Sequence, residues 1–205
     1  MAASGETLAA HEVLDWAMRQ IVYDVAVSLD GFIAGPDGDI SAFPADGDHL
    51  QPYLDRLAGY ETVIMGRGTY EFGYRFGLLP GARAYPHMDH HVFSRSLSLP
   101  EAADVTAVRE DWADALVALR AGDGGEIYLC GGGAFAGLVA NLGLLDLVRL
   151  KIAPVAIGSG VRLFEGLTET LRFERVAFTP YANGVTLAEY TLARPSSAAA
   201  QATAG

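Results

Sequence analysis

Hydrophobic positions along this chain recur with two periods, and the switches between them mark out the elements. Ile21-Val-Tyr-Asp-Val-Ala-Val-Ser-Leu29 is dominated by β-branched and aromatic residues and predicts a first strand. Asp30-Gly31 turns the chain, Phe32-Ile33-Ala34 resumes it, and Gly35-Pro-Asp-Gly38 turns it again. The segment up to His49 is rich in Gly and Asp and reads as a mobile loop able to close over a ligand. Helical spacing then takes over. Leu50, Tyr53, Leu54 and Leu57 share a face of a helix from about His49 to Leu57, with Asp48 placed to cap it. Glu61-Thr-Val-Ile-Met65 predicts a second buried strand, ending in Gly66-Arg67-Gly68-Thr69. Residues 73–90 are irregular, and short strands follow at His91–Ser94 and Val105–Val108. Asp111 would cap a helix through Leu119 whose one face carries Trp112, Leu116 and Leu119.

The pattern sharpens at Glu126-Ile-Tyr-Leu-Cys-Gly-Gly-Gly-Ala-Phe135. A short apolar strand breaks at three glycines, and Ala134 to Leu145 resumes at helical spacing with Phe135, Leu138, Val139 and Leu142. Asp146–Ala153 alternates with period two. The end is all β: Leu171–Thr179 and Val185–Leu192 flank Tyr181-Ala-Asn-Gly184, a hairpin signal. Strands alternating with helices, then an antiparallel pair, predict an α/β fold with a mixed, mostly parallel sheet and helices on both faces. Residues 1–20, with Leu8, Val13, Leu14, Trp16 and Met18 at helical spacing, form a lead or short helix. Residues 21–192 form one domain, and 193–205 read as a disordered low-complexity tail.

Composition narrows the function classes. The formal charge of −11 and pI near 4.7 argue against a nucleic-acid partner, which requires a basic face. No apolar run approaches the roughly 20 residues that span a bilayer, and no secretory signal is visible at the start. The single cysteine, Cys130, suits a reducing cytoplasm; inside an apolar strand it reads as a small packed hydrophobe rather than a nucleophile. His87, His90 and His91 cluster with Asp89, but a loop running into a strand explains them without a metal, and none is expected.

Three strand ends carry groups that suit an anion: Gly66-Arg67-Gly68-Thr69, Ser94-Arg95-Ser96 and Gly131-Gly132-Gly133. Glycine followed at once by a helix offers bare N–H groups at the positive end of the helix dipole, and arginine adds a bidentate cation. The glycine triplet alone equally suits a tight turn, and each arginine alone a solvated surface. Together they suit a dinucleotide carrying an extra phosphate, although the spacing is not the G-x-G-x-x-G fingerprint.

Ser28-Leu-Asp-Gly-Phe-Ile-Ala-Gly-Pro-Asp-Gly38, Val63-Ile-Met-Gly-Arg-Gly-Thr-Tyr-Glu71, Val92-Phe-Ser-Arg95 and Ile127–Gly133 together resemble the dihydrofolate reductase-like superfamily. Leu144–Phe164, with Ala153-Pro-Val-Ala-Ile-Gly-Ser-Gly160, narrows the likeness to the branch of the riboflavin-biosynthesis reductase domain and its stand-alone bacterial relatives. The resemblance spans residues 21–192. It implies a three-layer αβα sandwich, NADPH as hydride donor, a small heterocyclic substrate of pteridine or ribitylaminopyrimidine type, and a homodimer.

By position, it implies that Gly66, Arg67, Gly68 and Thr69 bind the cofactor phosphates, with Arg67 beside the ribose 2′-phosphate. Ser94 and Arg95 would hold the adenosine end. Gly131, Gly132, Gly133, Ala134 and Phe135 would receive the pyrophosphate, while Ala26, Ile33 and Ala34 would meet the nicotinamide carboxamide. Phe43-Pro-Ala-Asp46 resembles the Leu-Pro-Ala-Asp element of true dihydrofolate reductases, which puts Asp46 at the place of their acid; Asp48 competes for it, and the riboflavin branch generally lacks it. Tyr70, Tyr74 and Phe164 are candidates for the substrate pocket or for the core. Two other readings stay open: a dinucleotide-binding protein of this fold without efficient turnover, and a genuine dihydrofolate reductase.

Overall fold

The structure, a computed structural model, describes residues 18–193. The expected N-terminal helix before Met18 and the tail from position 194 lie outside the described residues. Between them runs an eight-stranded sheet whose order, from one edge to the other, differs sharply from chain order. It reads β5 (Thr106–Val108), β4 (Asp89–Phe93), β3 (Thr62–Gly66), β6 (Ile127–Gly131), β1 (Ile21–Val27), β7 (Leu147–Ile152), β10 (Thr186–Leu192) and β9 (Phe173–Pro180). The strands from β5 to β7 are parallel. β10 runs antiparallel to β7 and β9 antiparallel to β10, as the Asn183-Gly184 signal predicts. A separate two-stranded ladder joins β2 (Phe32–Ala34) to β8 (Val161–Arg162).

The helices α1 (Leu50–Gly59), α2 (Arg67–Phe72), α3 (Trp112–Ala121) and α4 (Gly133–Asn141) divide between the two faces. Beneath α3 and α4, Ile21, Tyr23, Ile64, Phe93 and Leu129 meet Leu116, Phe135 and Val139. On the opposite face, Val22, Val63, Met65, Val92 and Tyr128 pack with Tyr60 and Tyr70. A parallel strand covered on both faces needs apolar residues at successive positions, and this is why β3 and β6 read as hydrophobic runs and β1 does so apart from Asp24. The result is a three-layer αβα sandwich around a mixed, mostly parallel sheet, as the sequence predicts.

Three local expectations are corrected. Neither predicted aspartate caps its helix: Asp111 sits at the start of α3 in the left-handed region, φ 49°, without a side-chain cap. Asp48 instead spends its carboxylate on the N–H of Ala182, 2.8 Å away in the β9–β10 turn, and His49 precedes α1. The helix after the glycines ends at Asn141 rather than Leu145, leaving Leu142 42% exposed. Helical spacing continues past the end because Leu144 and Leu145 are apolar for another reason: Leu145 turns back into the core.

One packing detail fixes the wall of the site. α4 presents Gly133 and Gly137 to the segment after β8, and a Cβ on either would collide with the carbonyl oxygens of Arg162 and Glu165. The Glu165 N–H donates to the Gly133 carbonyl at 3.0 Å, holding backbone against backbone. The third glycine of the triplet is therefore required by packing, and the first by its φ of 135°.

Candidate functional site

At the carboxyl ends of β1, β3 and β6 a cavity of about 860 Å³ opens over the sheet. It is lined on one side by Gly66, Arg67, Gly68 and Thr69, and on the other by Gly131 through Phe135. Two strands separated in sequence end side by side because β3 and β6 are paired in parallel, so both glycine breaks face one space, as ligand sites in open α/β sheets do. Ile33 and Ala34 form another part of the wall, and Trp112 of α3 closes the end near Phe93. At the start of α4 no side chain caps the first amides. At Gly68 a Cβ would meet nothing within 4 Å, so the glycine leaves room beside the cavity that packing does not demand.

Arg67 is half-exposed, its Nε 2.8 Å from Glu71 Oε1 and its Nη1 2.9 Å from Ser96 Oγ. Arg95 stacks over Trp112, with Cζ 5.6 Å from the ring centroid, but does not itself line the cavity. Ser94 is different. It is buried, and its hydroxyl accepts the N–H groups of Ser96 and Leu97 at 3.2 and 3.0 Å, organising the turn that carries Arg95. Ala26 faces a neighbouring cavity rather than this one.

Asp46 lies exposed in the loop before α1, its carbonyl accepting from Asn183 Nδ2 at 3.3 Å, and its side chain lines neither cavity. Asp30, within the Ser28-Leu-Asp-Gly motif, ties the β1–β2 turn to the loop after β7. It accepts the N–H groups of Ile157 and Gly158 and the Ser28 hydroxyl. These bonds, the Ser28 hydroxyl first, hold its carboxyl down at about 2. Of the aromatic candidates, Phe164 packs edge-on against Tyr23 in the core. The Tyr70 hydroxyl bridges Gly81 N and Ala82 O. His90 uses both ring nitrogens, on Met88 O and Tyr85 N. Among the described residues no group of three or more His, Cys, Asp or Glu is arranged to hold a metal ion.

The neighbouring cavity, about 810 Å³, lies between the sheet and α1 and shares Val25, Ile40, Thr69, Phe72 and Cys130 with the first. Its floor holds charges that the alternation did not bring out as a site. Asp24 on β1 is 1% exposed and Lys151 on β7 9%. Lys151 Nζ stands 3.2 Å from Asp24 Oδ1 and 3.2 Å from the centroid of the Tyr53 ring. Arg56 of α1 donates from Nε to Asp24 Oδ2 at 3.0 Å. Burial pushes the Lys151 ammonium down against the pull of Asp24. Burial likewise raises Tyr53 to about 12, Tyr128 further, and the Cys130 thiol, whose Sγ lies 3.4 Å from the Tyr85 hydroxyl. A raised thiol is a poor nucleophile, in keeping with Cys130 as a packing residue. The readable signal was a lone acid amid six apolar residues of Ile21–Val27, and a lysine two positions from Arg149 in another buried strand.

Comparison with known proteins places this geometry in a family: residues 19–187 match the RibD C-terminal domain. The chain belongs to the RibD C-terminal domain family. Among relatives, the uncharacterized protein YwjB of Bacillus subtilis (strain 168) is 32% identical over 153 residues, covering 73% of this chain and 85% of that protein. Solved structures share the fold. A putative riboflavin biosynthesis protein from Shewanella sp. PV-4 superposes with TM-score 0.72 at 24% identity, over 86% of this chain and all of that one. The diaminohydroxyphosphoribosylaminopyrimidine deaminase/5-amino-6-(5-phosphoribosylamino)uracil reductase of Thermotoga maritima gives 0.65 at 18%, over 89% of this chain and 59% of that one. Dihydrofolate reductase from Enterococcus faecalis, complexed with NADP(H), gives 0.64 at 15%, over 86% and 99%. The fold of this RibD C-terminal domain is thus a reductase-type fold, and its described residues include no helix long and apolar enough to cross a membrane.

Proposed function

We propose that the protein is an NADPH-dependent reductase that passes a hydride to a C=N or C=O group of a small heterocyclic substrate. The observation that carries this reading is the pairing of two cavities over one sheet end: the glycine-lined cleft, and the aromatic cavity that shares Val25, Thr69 and Cys130 with it. A dinucleotide fits the first. The uncapped amides of α4 suit its pyrophosphate, and a Cβ at Gly68 would intrude on the space it needs. In this reading Arg67 takes the 2′-phosphate, and its hydrogen bond to Ser96 and the stacking of Arg95 on Trp112, which lines the cleft, support an adenosine end there. When bound, the reduced nicotinamide supplies the hydride. The chain supplies orientation: Ile33 and Ala34 hold the ring edge while the shared wall sets the acceptor against it.

As the resemblance implies, the protein acts as a homodimer in this reading, and light scattering reads that state. The decisive experiment is a titration with NADPH and with NADH followed through tryptophan fluorescence, since Trp112 lines the cleft. NADPH should bind much more tightly than NADH, and Arg67→Ala should erase the difference. Binding of neither would sink the reading. The proton that completes the reduction comes from Asp46 or from water: Asp46→Asn slows turnover without weakening cofactor binding in the first case, and leaves the rate unchanged in the second.

A further inference from the structure

The turn between β9 and β10, which the reductase reading leaves without a role, borders the second cavity and fixes one histidine in its wall. His49, 8% exposed, lines that cavity beside Ala45, Tyr53 and Val185. Its ring stands edge-on to Tyr181, centroids 6.1 Å apart, and its Nδ1 lies 2.9 Å from Asn183 Nδ2. Two backbone bonds decide which way the Asn183 amide points. Its Oδ1 accepts the Val185 N–H at 3.2 Å, while its Nδ2 donates to the Asp46 carbonyl at 3.3 Å. A backbone N–H cannot accept and a carbonyl cannot donate, so the amide has one orientation, and its second N–H is left for His49. The loop is clipped to the turn on both sides of this contact. Asp48 Oδ2 accepts the Ala182 N–H at 2.8 Å, and Gly47, at φ 123°, leaves open the space where a Cβ would run into Asn183 Nδ2.

Two donors cannot face each other, so Nδ1 is the acceptor and the neutral ring carries its proton on Nε2. Nε2 has no hydrogen-bond partner among the described residues. It is not sealed either, since among those residues the one side-chain N or O atom both closed to solvent and without a hydrogen bond is Asp24 Oδ1. With Nδ1 turned to the hairpin, the remaining N–H belongs to a ring enclosed on every side but the cavity it lines. A donor so placed costs free energy until a ligand or water accepts from it. The Asp24 carboxylate, by contrast, is wholly spent on Arg56 and Lys151.

We propose that His49 is a specificity-determining residue of this cavity: its Nε2–H donates to a neutral acceptor oxygen or nitrogen of the bound ligand, and Asn183 is the positioning residue that keeps the proton on that nitrogen. The reductase reading enters only in calling this ligand the substrate. A ligand that presented an N–H or an ammonium group at the same point would set donor against donor and be rejected. The turn of the antiparallel hairpin, 134 positions from His49, thus chooses the chemistry of a cavity to which it contributes only Val185.

The first measurement needs no variant to fold. In nitrogen-15 NMR of the full chain at mildly alkaline pH, with His49 assigned by through-bond correlation, Nδ1 should be of pyridine type and Nε2 of pyrrole type. Adding quinoline, an uncharged acceptor, should shift the Nε2 signal. A proton on Nδ1, or an Nε2 signal that quinoline leaves unmoved, would overturn the proposal. Naphthalene has the shape of quinoline without its acceptor, so the ratio of their affinities isolates the hydrogen bond. His49→Phe should move that ratio against quinoline by about three- to tenfold, and His49→Gln, whose amide N–H can take the place of Nε2, should restore it. Asn183→Ala leaves the ring in place yet should let both tautomers appear and lower the preference for quinoline. An unchanged ratio in a folded His49→Phe, or an unchanged tautomer in Asn183→Ala, would overturn the assignment. Failure of NADPH to bind while the His49-dependent preference persists would remove the reductase reading and leave this one standing.

Discussion

Substituting alanine for glycine inside a helix ordinarily stabilises a protein, and at Gly137 the opposite is expected. Gly137 lies in the middle of α4, where alanine is worth about 1 kcal/mol more than glycine. Yet its missing Cβ is the space into which the Glu165 carbonyl packs, and the obstacle is backbone, which cannot rotate away as a side chain would. Forcing an extra carbon into such a contact costs about 1–3 kcal/mol, with the upper part of that range appropriate here because α4 and the 161–165 segment must separate. The net effect is a loss of about 1–2 kcal/mol. For a domain of this size each kcal/mol moves the melting temperature by about 2–4 °C, so Gly137→Ala should melt about 2–8 °C lower. Gly68→Ala in α2 is the matched control, since its Cβ enters open space: about 0.5–1 kcal/mol of added stability is expected. Circular dichroism melts of the three proteins decide the matter. A Gly137→Ala variant as stable as the wild type would show that the helix and the segment beyond β8 are not in backbone contact.

Glu71 competes with any phosphate for Arg67, from 2.8 Å away, so Glu71→Gln should tighten NADPH several-fold and leave NADH unmoved; equal gains for both would argue that Arg67 does not face the 2′-phosphate. Gly68→Ala, for all its added stability, should weaken the dinucleotide, and unchanged affinity would put the phosphates elsewhere. Asp30 provides a pH-dependent tether. Its folded carboxyl titrates at about 2, below the usual aspartate value, so its contribution is complete above about pH 4 and is lost as pH falls through 2. The urea midpoint of Asp30→Ala should therefore lie below wild type at neutral pH, with the gap closing in strong acid; a gap that stays constant down to pH 2 would contradict the assignment.

Sequence reasoning reached the strands because burial on both faces leaves an unmistakable apolar run, and it brought out the residues of the glycine-lined cleft because glycine breaks mark strand ends whatever follows. It misjudged what the short polar residues do. Asp48 and Asp111 both precede helices, but Asp111 is left-handed where a capping residue is extended, and the hairpin turn 134 positions after Asp48 outbid the helix for its carboxylate. Gly133 announced itself as a phosphate residue, yet it is also needed to let Glu165 and Arg162 come close, a demand made by a segment some thirty positions away. The Asp24–Lys151 pair was missed for a related reason. Each is an isolated charge in its own strand, and only the parallel register of β1 on β7, Asp24 opposite Arg149 and Ala26 opposite Lys151, brings them to one floor.

The position of β1 also bears on how the chain comes to be folded. It is the first strand of the sheet to leave the ribosome and lies deep within it, with neighbours β6 and β7 that begin only at Ile127 and Leu147. Such distant pairing makes for slow closure, and through most of synthesis the strand waits with both edges open. Six of its seven residues are apolar and prone to pair with any similar strand; the seventh is Asp24. A charge in the middle of such a run opposes adhesion between copies until Lys151 and Arg56 arrive to bury it. The residue that shapes the finished cavity thereby guards the unfinished chain.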